Sequence, residues 1–178
     1  MNLFLRTLLA SVLALTGVAA FAQTTAAGPY YATPSWDQTM PAPTRFVVLA
    51  NFNDEAVLDR ETGLVWLRAP DLGAQDVAST AFDKCALQPY GGRLGWRLPS
   101  YAELTSLFGA TPSASTGLPA GHPFVAPASA SARSTTRGFN AEDMHYAILF
   151  GSAQFIAGVA SDSQPLGEWC VRGPDHST

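Results

Sequence analysis

Residues 95–104 read GWRLPSYAEL, an irregular approach that turns into a helix. Ser100 and Glu103 stand three apart, the spacing of a capping box, in which each side chain accepts from the other residue's backbone N–H. Leu104, Leu107 and Phe108 supply the apolar stripe of this short helix, and Gly109 is placed to end it. Upstream, Ala74, Val77, Ala78, Ala81, Phe82 and Cys85 recur at three- and four-residue spacing. That period predicts a longer helix with Asp71 as its N-cap and Pro89 beyond its end. Cys85 lies on the apolar face, so its thiol points inward.

Strands flank the two helices on both sides. FVVLANF (46–52), AVLD (56–59) and LVWLR (64–68) are short β-rich runs separated by Asn53-Asp54 and by Arg60-Glu61-Thr62-Gly63. Tight turns between short strands predict an antiparallel meander. After the second helix, residues 110–133 hold Pro112, Pro119, Pro123 and Pro127 and read as a long irregular loop. A loop of that length in a compact domain is either used or disordered. Beyond it come a short STT (134–136), HYAILF (145–150), AQFIAGVA (153–160) and EWCVR (168–172), with Gly151-Ser152 as a hairpin turn. Strands, then helices, then strands make an α+β domain over 45–173. Cys170 lies in the last strand. Bonded to Cys85 it would tie the first helix to the end of the chain; two buried free thiols are the alternative.

The flanks are different in kind. Met1–Ala22 carries one cation, Arg6, then an apolar stretch and Ala20-Phe21-Ala22, the pattern of a cleavable signal peptide cut after Ala22. Periplasmic or secreted localisation follows, where a disulfide can persist. Residues 23–44 are a Pro/Thr/Ala-rich linker containing Tyr30, Tyr31 and Trp36, and 174–178 form a short tail. The apolar stretch 144–160 is interrupted by His145, Gln154 and glycines, so it reads as strands and not as a membrane span.

Composition narrows the function. The 178 residues are 47% hydrophobic, enough for a sizeable core, and only 13% charged. The formal net charge of −4 disfavours nucleic acid as a partner, which needs a basic surface. Two cysteines cannot make a four-cysteine zinc site. Asn51, Asn53, Asp54 and Glu55 lack the spacing and glycine of a calcium loop, and Glu142-Asp143 reads as a solvated turn. No metal and no cofactor is expected. The histidines are His122, His145 and His176, and no nucleophile motif accompanies them. The chain therefore reads as non-enzymatic. Its candidate ligand-binding residues are His122 in the long loop, Arg133 and Arg137 flanking STT, and Asn140 nearby; the arginines would suit an anionic partner.

TGLVW (62–66), Ala81 with Cys85, GWRLPS (95–100), Glu103-Leu104 with Leu107, GHPF (121–124), STT (134–136) and WCVRG (169–173) occur in a familiar order. Together they resemble the Lcl C-terminal domain family, named after the C-terminal domain of a bacterial collagen-like adhesin. Members often carry a Tyr-Trp pair before a Ser-Ser-Thr motif; Ala132-Arg133 stand there in this chain. The order is similar, more distantly, to the C-type lectin-like fold, in which a helix cysteine bonds to a last-strand cysteine, as Cys85 and Cys170 would. The calcium-dependent sugar motifs of that fold are missing, Gln164-Pro165-Leu166 being the nearest approach. The resemblance implies an adhesin-like binding module for a glycan or cell-surface polymer. The alternative is a structural or interaction protein docking another exported or envelope protein.

Overall fold

The computed structural model describes residues 39–108, 116–126, 129–139, 143–151 and 154–173. The expected signal peptide, most of the linker with Tyr30, Tyr31 and Trp36, Gly109, Asn140, and the tail with His176 lie outside the described residues. Within them the chain is an α+β fold with two sheets and a few short helices.

After a single helical turn, α1 (Ala42–Arg45), the expected meander forms from β1 (Phe46–Val48), β2 (Ala56–Asp59) and β3 (Val65–Leu67). All three pair antiparallel, Val57 opposite both Val48 and Trp66. Asn53 and Asp54 turn the chain at positive φ, 54° and 58°, a region that Asn and Asp tolerate better than other side chains.

The next segment departs from expectation. Asp71–Asp76 is a strand, β4, and not the start of a helix; α2 runs only over Ala78–Leu87, with Val77 as its N-cap. Leu72 is buried between exposed neighbours, the alternation of a half-buried strand. β4 pairs antiparallel with β8 (Leu166–Glu168), Asp71 opposite Glu168. Gly167 permits this approach: a Cβ there would lie 2.6 Å from the Leu72 Cα. Helix α2 buries Ala78, Ala81 and Cys85, while Val77 and Phe82 remain partly exposed.

Helix α3 (Tyr101–Ser106) begins on the capping box. Ser100 Oγ accepts from Glu103 N–H at 3.2 Å, and Glu103 Oε2 accepts from Ser100 N–H at 2.8 Å. Glu103, Leu104 and Leu107 are buried beneath it.

Strands β5 (Ser129–Arg137), β6 (Met144–Gly151) and β7 (Gln154–Ser161) complete the second sheet in the order β4-β8-β5-β6-β7. The expected irregular loop thus ends earlier than its sequence suggested, and Arg133 and Arg137 belong to a long strand. Residues 116–126 are packed as well, with Leu118 and Phe124 buried. Gly151 pairs with Gln154 at the end of the β6–β7 hairpin, and Ser152 of the expected turn lies outside the described residues.

The expected last strand is in fact two. Leu166–Glu168 joins the second sheet, and β9 (Val171–Arg172) joins the first beside β3. Trp169 and Cys170 lie at the crossing. Trp169 is fully buried, makes edge contacts with Trp66 and Phe124 at 5.9 and 5.1 Å, and donates its indole N–H to the Leu67 carbonyl at 2.8 Å. Cys170 bonds to Cys85, fixing α2 to the crossing. The bond needs an oxidising compartment to persist, which fits an extracellular or periplasmic protein. No helix among the described residues is long and apolar enough to cross a membrane.

Candidate functional site

The described residues singled out from sequence, His122, Arg133 and Arg137, do not share one surface. His122 is half-buried; its Nδ1 accepts from Phe124 N–H at 3.2 Å, and its Nε2 lies 3.4 Å from the Thr116 hydroxyl. Its ring stacks on Phe124, which packs against Phe46 and Trp169. Burial pulls the imidazole below its ordinary pKa. Arg133 is fully buried on β5. It donates to the carbonyls of Ser161 and Gln164, and Asp162 lies 3.8 Å away. This guanidinium holds the β7–β8 turn. Burial pulls its pKa down, yet an arginine stays charged. His145 contacts the same turn through Asp162 at 2.5 Å. Arg137 is exposed at the far end of β5, opposite His145. Of the four expected residues, only Arg137 presents an exposed charge, and Asn140 lies outside the described residues.

A better site lies where β3 runs into β4. A cleft of about 370 Å³ is lined by Asp54, Glu55, Leu67, Arg68, Ala69, Tyr90 and Val125. Its walls are tied by backbone contacts. Arg68 N–H donates to the Glu55 carbonyl and Val125 N–H to the Arg68 carbonyl, both at 2.8 Å. The Arg68 guanidinium donates to the carbonyls of Pro123 and Asp54, and Glu55 Oε2 accepts from Gly91 N–H at 2.7 Å. Gly91 sits at positive φ with Phe52 so close that a Cβ would meet it at 2.9 Å. Only glycine fits, and the turn it makes brings Tyr90 to the cleft. Leu67, Tyr90 and Val125 give an apolar lining, while Asp54, Glu55 and Arg68 give charges of both signs.

Carboxylates gather beside this cleft. Asp71, Asp76 and Glu168 bring oxygens within 4.8 Å of one another. The Lys84 ammonium, from α2, sits 3.3 Å from Asp71, 3.2 Å from Glu168, and in contact with Asp76. The hydrogen bond to Asp76 raises the Lys84 pKa against the opposing effect of burial. Burial pushes Glu168 up to about 7, although Lys84 pulls the other way. Tyr90 joins the two places: burial raises its phenol pKa, and the charge of Glu168 raises it further. The expected helix at Asp71 hid this grouping, because an N-cap and a helix residue would not face a carboxylate nearly a hundred positions downstream.

A second cavity, about 450 Å³, lies between α1 and the end of α3, with Met40, Pro43, Phe108 and Pro119 in its walls. Its Arg45 and Glu61 pair with each other at 2.9 Å, and Arg45 also grips the buried Asp59. Those charges are committed to the fold.

Comparison with known families now bears on the identity of the domain. The model of the Lcl C-terminal domain matches residues 55–172, which runs from the turn before β2 to the end of β9. The chain belongs to the Lcl C-terminal domain family. The matched span includes both sheets' central strands, the Cys85–Cys170 bond, the carboxylate group and all of the cleft lining except Asp54. No curated protein and no solved structure matches the chain significantly. In this Lcl C-terminal domain, the motif residues quoted from sequence are mostly packing residues. Trp66, Trp96, Leu98 and Trp169 are buried, and Arg97 grips Glu103.

Proposed function

We propose that this Lcl C-terminal domain is an exported, non-enzymatic binding module that holds a short stretch of glycan or cell-surface polymer in the β3–β4 cleft. The observation that carries the reading is the cleft itself. Its volume falls within the range of small-ligand sites, and an apolar lining with a few charged groups suits a sugar ring, which has an apolar face and a hydroxyl edge. The walls are cross-tied by backbone, so little ordering cost accompanies binding. The helix-to-crossing disulfide supports the distant likeness to the C-type lectin-like fold, and family membership supports an adhesin-like role. Fold by itself fixes neither.

Val125 offers a clean test. It is 61% exposed, lines the cleft, and is outside the core. Val125→Arg should block the cleft without unfolding the domain. On a polysaccharide array the wild type should retain at least one ligand, and the variant should lose it by about tenfold or more, a difference of about 1.4 kcal/mol. Equal retention by both would remove the cleft from consideration.

A second reading, docking of another exported or envelope protein, is favoured by β7. It is the last strand of its sheet, and Leu149 and Val159 on β6 and β7 are about half exposed. An open strand edge is a template for pairing with another chain. Co-purification of a stoichiometric envelope protein, insensitive to Val125→Arg, would favour this reading over the first.

A further inference from the structure

The carboxylate group beside the cleft has an uncompensated feature. Glu168 is 1% exposed, and neither of its carboxylate oxygens has a hydrogen-bond partner. Lys84 approaches Oε1 at 3.2 Å as an ion pair, without hydrogen-bond geometry. A buried carboxylate normally satisfies its lone pairs with several donors. Here one oxygen of Glu168 lies within 4.8 Å of one from Asp71 and one from Asp76, and one ammonium faces three carboxylates. Lys84 cannot balance that charge alone.

We propose that Asp71, Asp76 and Glu168 form a divalent-cation site of calcium type, and that Lys84 occupies the ion's position in the ion-free protein. The spacing suits such an ion. Two oxygens on one ion can be no farther apart than twice the ion–oxygen distance. That limit is about 4.6–5.2 Å for calcium, at 2.3–2.6 Å per bond, and about 4.2 Å for magnesium. The observed oxygens lie within 4.8 Å of one another, a spread that a calcium ion can span. Asp71 is 56% exposed on its side chain, so water completes the coordination. Lys84 is one-third exposed on a flexible stem and swings to solvent when the ion enters. The ion then ties β4 to β8, beside the Cys85–Cys170 bond. This inference is independent of the ligand proposed for the cleft.

The test is calcium chloride added to the oxidised, disulfide-intact protein after chelator treatment, read by thermal unfolding and by titration calorimetry. The wild type should be stabilised by calcium at millimolar or lower concentration. Lys84→Met, which removes the competing ammonium, should bind about tenfold more tightly or better, since a like charge within about 4 Å opposes the ion strongly. Glu168→Gln should stay folded by circular dichroism and lose the calcium response. Absence of any shift in both wild type and Lys84→Met up to about 10 mM, above the ~10⁻⁴–10⁻³ M range of extracellular calcium modules, overturns the proposal. So does a response that Glu168→Gln retains, or binding that Lys84→Met leaves unchanged.

Discussion

Replacing Arg97 should damage the domain more than neutralising the carboxylate it grips. Arg97 binds Glu103 through two nitrogens at 2.8 and 2.6 Å, linking the bridge to Val171 with the start of α3. The two partners differ in their access to water. The Glu103 side chain is fully buried, while that of Arg97 is 23% exposed. Arg97→Met strands the carboxylate where no solvent reaches it. Breaking a buried pair from one side costs about 3–5 kcal/mol. Glu103→Gln leaves an arginine that reaches water, and the amide oxygen still accepts from Ser100 N–H. The loss is then the charge-assisted part of the contact, about 1–2 kcal/mol.

Urea unfolding followed by tryptophan fluorescence separates the two. With a slope of about 2 kcal/mol per molar, Arg97→Met should lower the midpoint by about 2 M and Glu103→Gln by less than about 1 M, with slopes unchanged. Arg97→Met combined with Glu103→Leu should recover most of the loss, because an apolar replacement of a buried pair is often neutral. What remains is the reciprocal half of the capping box, worth about 1 kcal/mol. Equal losses for the two single variants, or a larger loss for Glu103→Gln, would refute the reasoning from solvent access.

Two further outcomes follow from the same structure. Replacing both Cys85 and Cys170 by alanine should lower stability by about 2–5 kcal/mol; for a separation of 85 residues the chain-entropy figure is about 4.6 kcal/mol. Denaturant midpoints equal to wild type would show that the bond constrains nothing the fold does not already hold. Burial keeps the His122 pKa below its ordinary 6.5, so the unfolded chain takes up the proton first. Its contribution is fully present above about pH 6.5 and is lost as the pH falls through the lower folded value. His122→Gln should therefore flatten the loss of thermal stability between pH 7 and 5, and an unchanged slope would place the acid sensitivity elsewhere.

What the sequence made legible was local. The Ser100–Glu103 box, the β1–β2–β3 meander and the β6–β7 hairpin each depend on contacts between near neighbours, which spacing reveals. The misreadings share one cause. Ala74 and Val77 continue the helical period of α2, but Asp71–Asp76 pairs with a strand from the end of the chain, and Gly167 is what lets it come close. Arg133 looked like a surface cation because it flanks a loop-like run. Its neighbours Ala132 and Ser134 are buried too, because β5 is covered on both sides there and its register with β6 is irregular beyond Arg133. Neither pairing leaves a mark within a few residues.

The division of EWCVR between two sheets has the largest functional consequence. A continuous strand would present alternate residues to one core. Instead, Leu166–Glu168 and Val171–Arg172 pair with different sheets, and everything between must cross the interior. That crossing puts Glu168 against β4, Trp169 into the aromatic core and Cys170 onto α2, in three consecutive positions. Helix α2 answers with adjacent residues, Lys84 to the carboxylates and Cys85 to the sulfur. The disulfide therefore does more than shorten the unfolded chain: it fixes the helix from which Lys84 reaches Glu168, next to Tyr90 of the cleft. That long-range bond joins the helix carrying Lys84 to the residues that directly follow Glu168, where the buried carboxylate and its lysine meet.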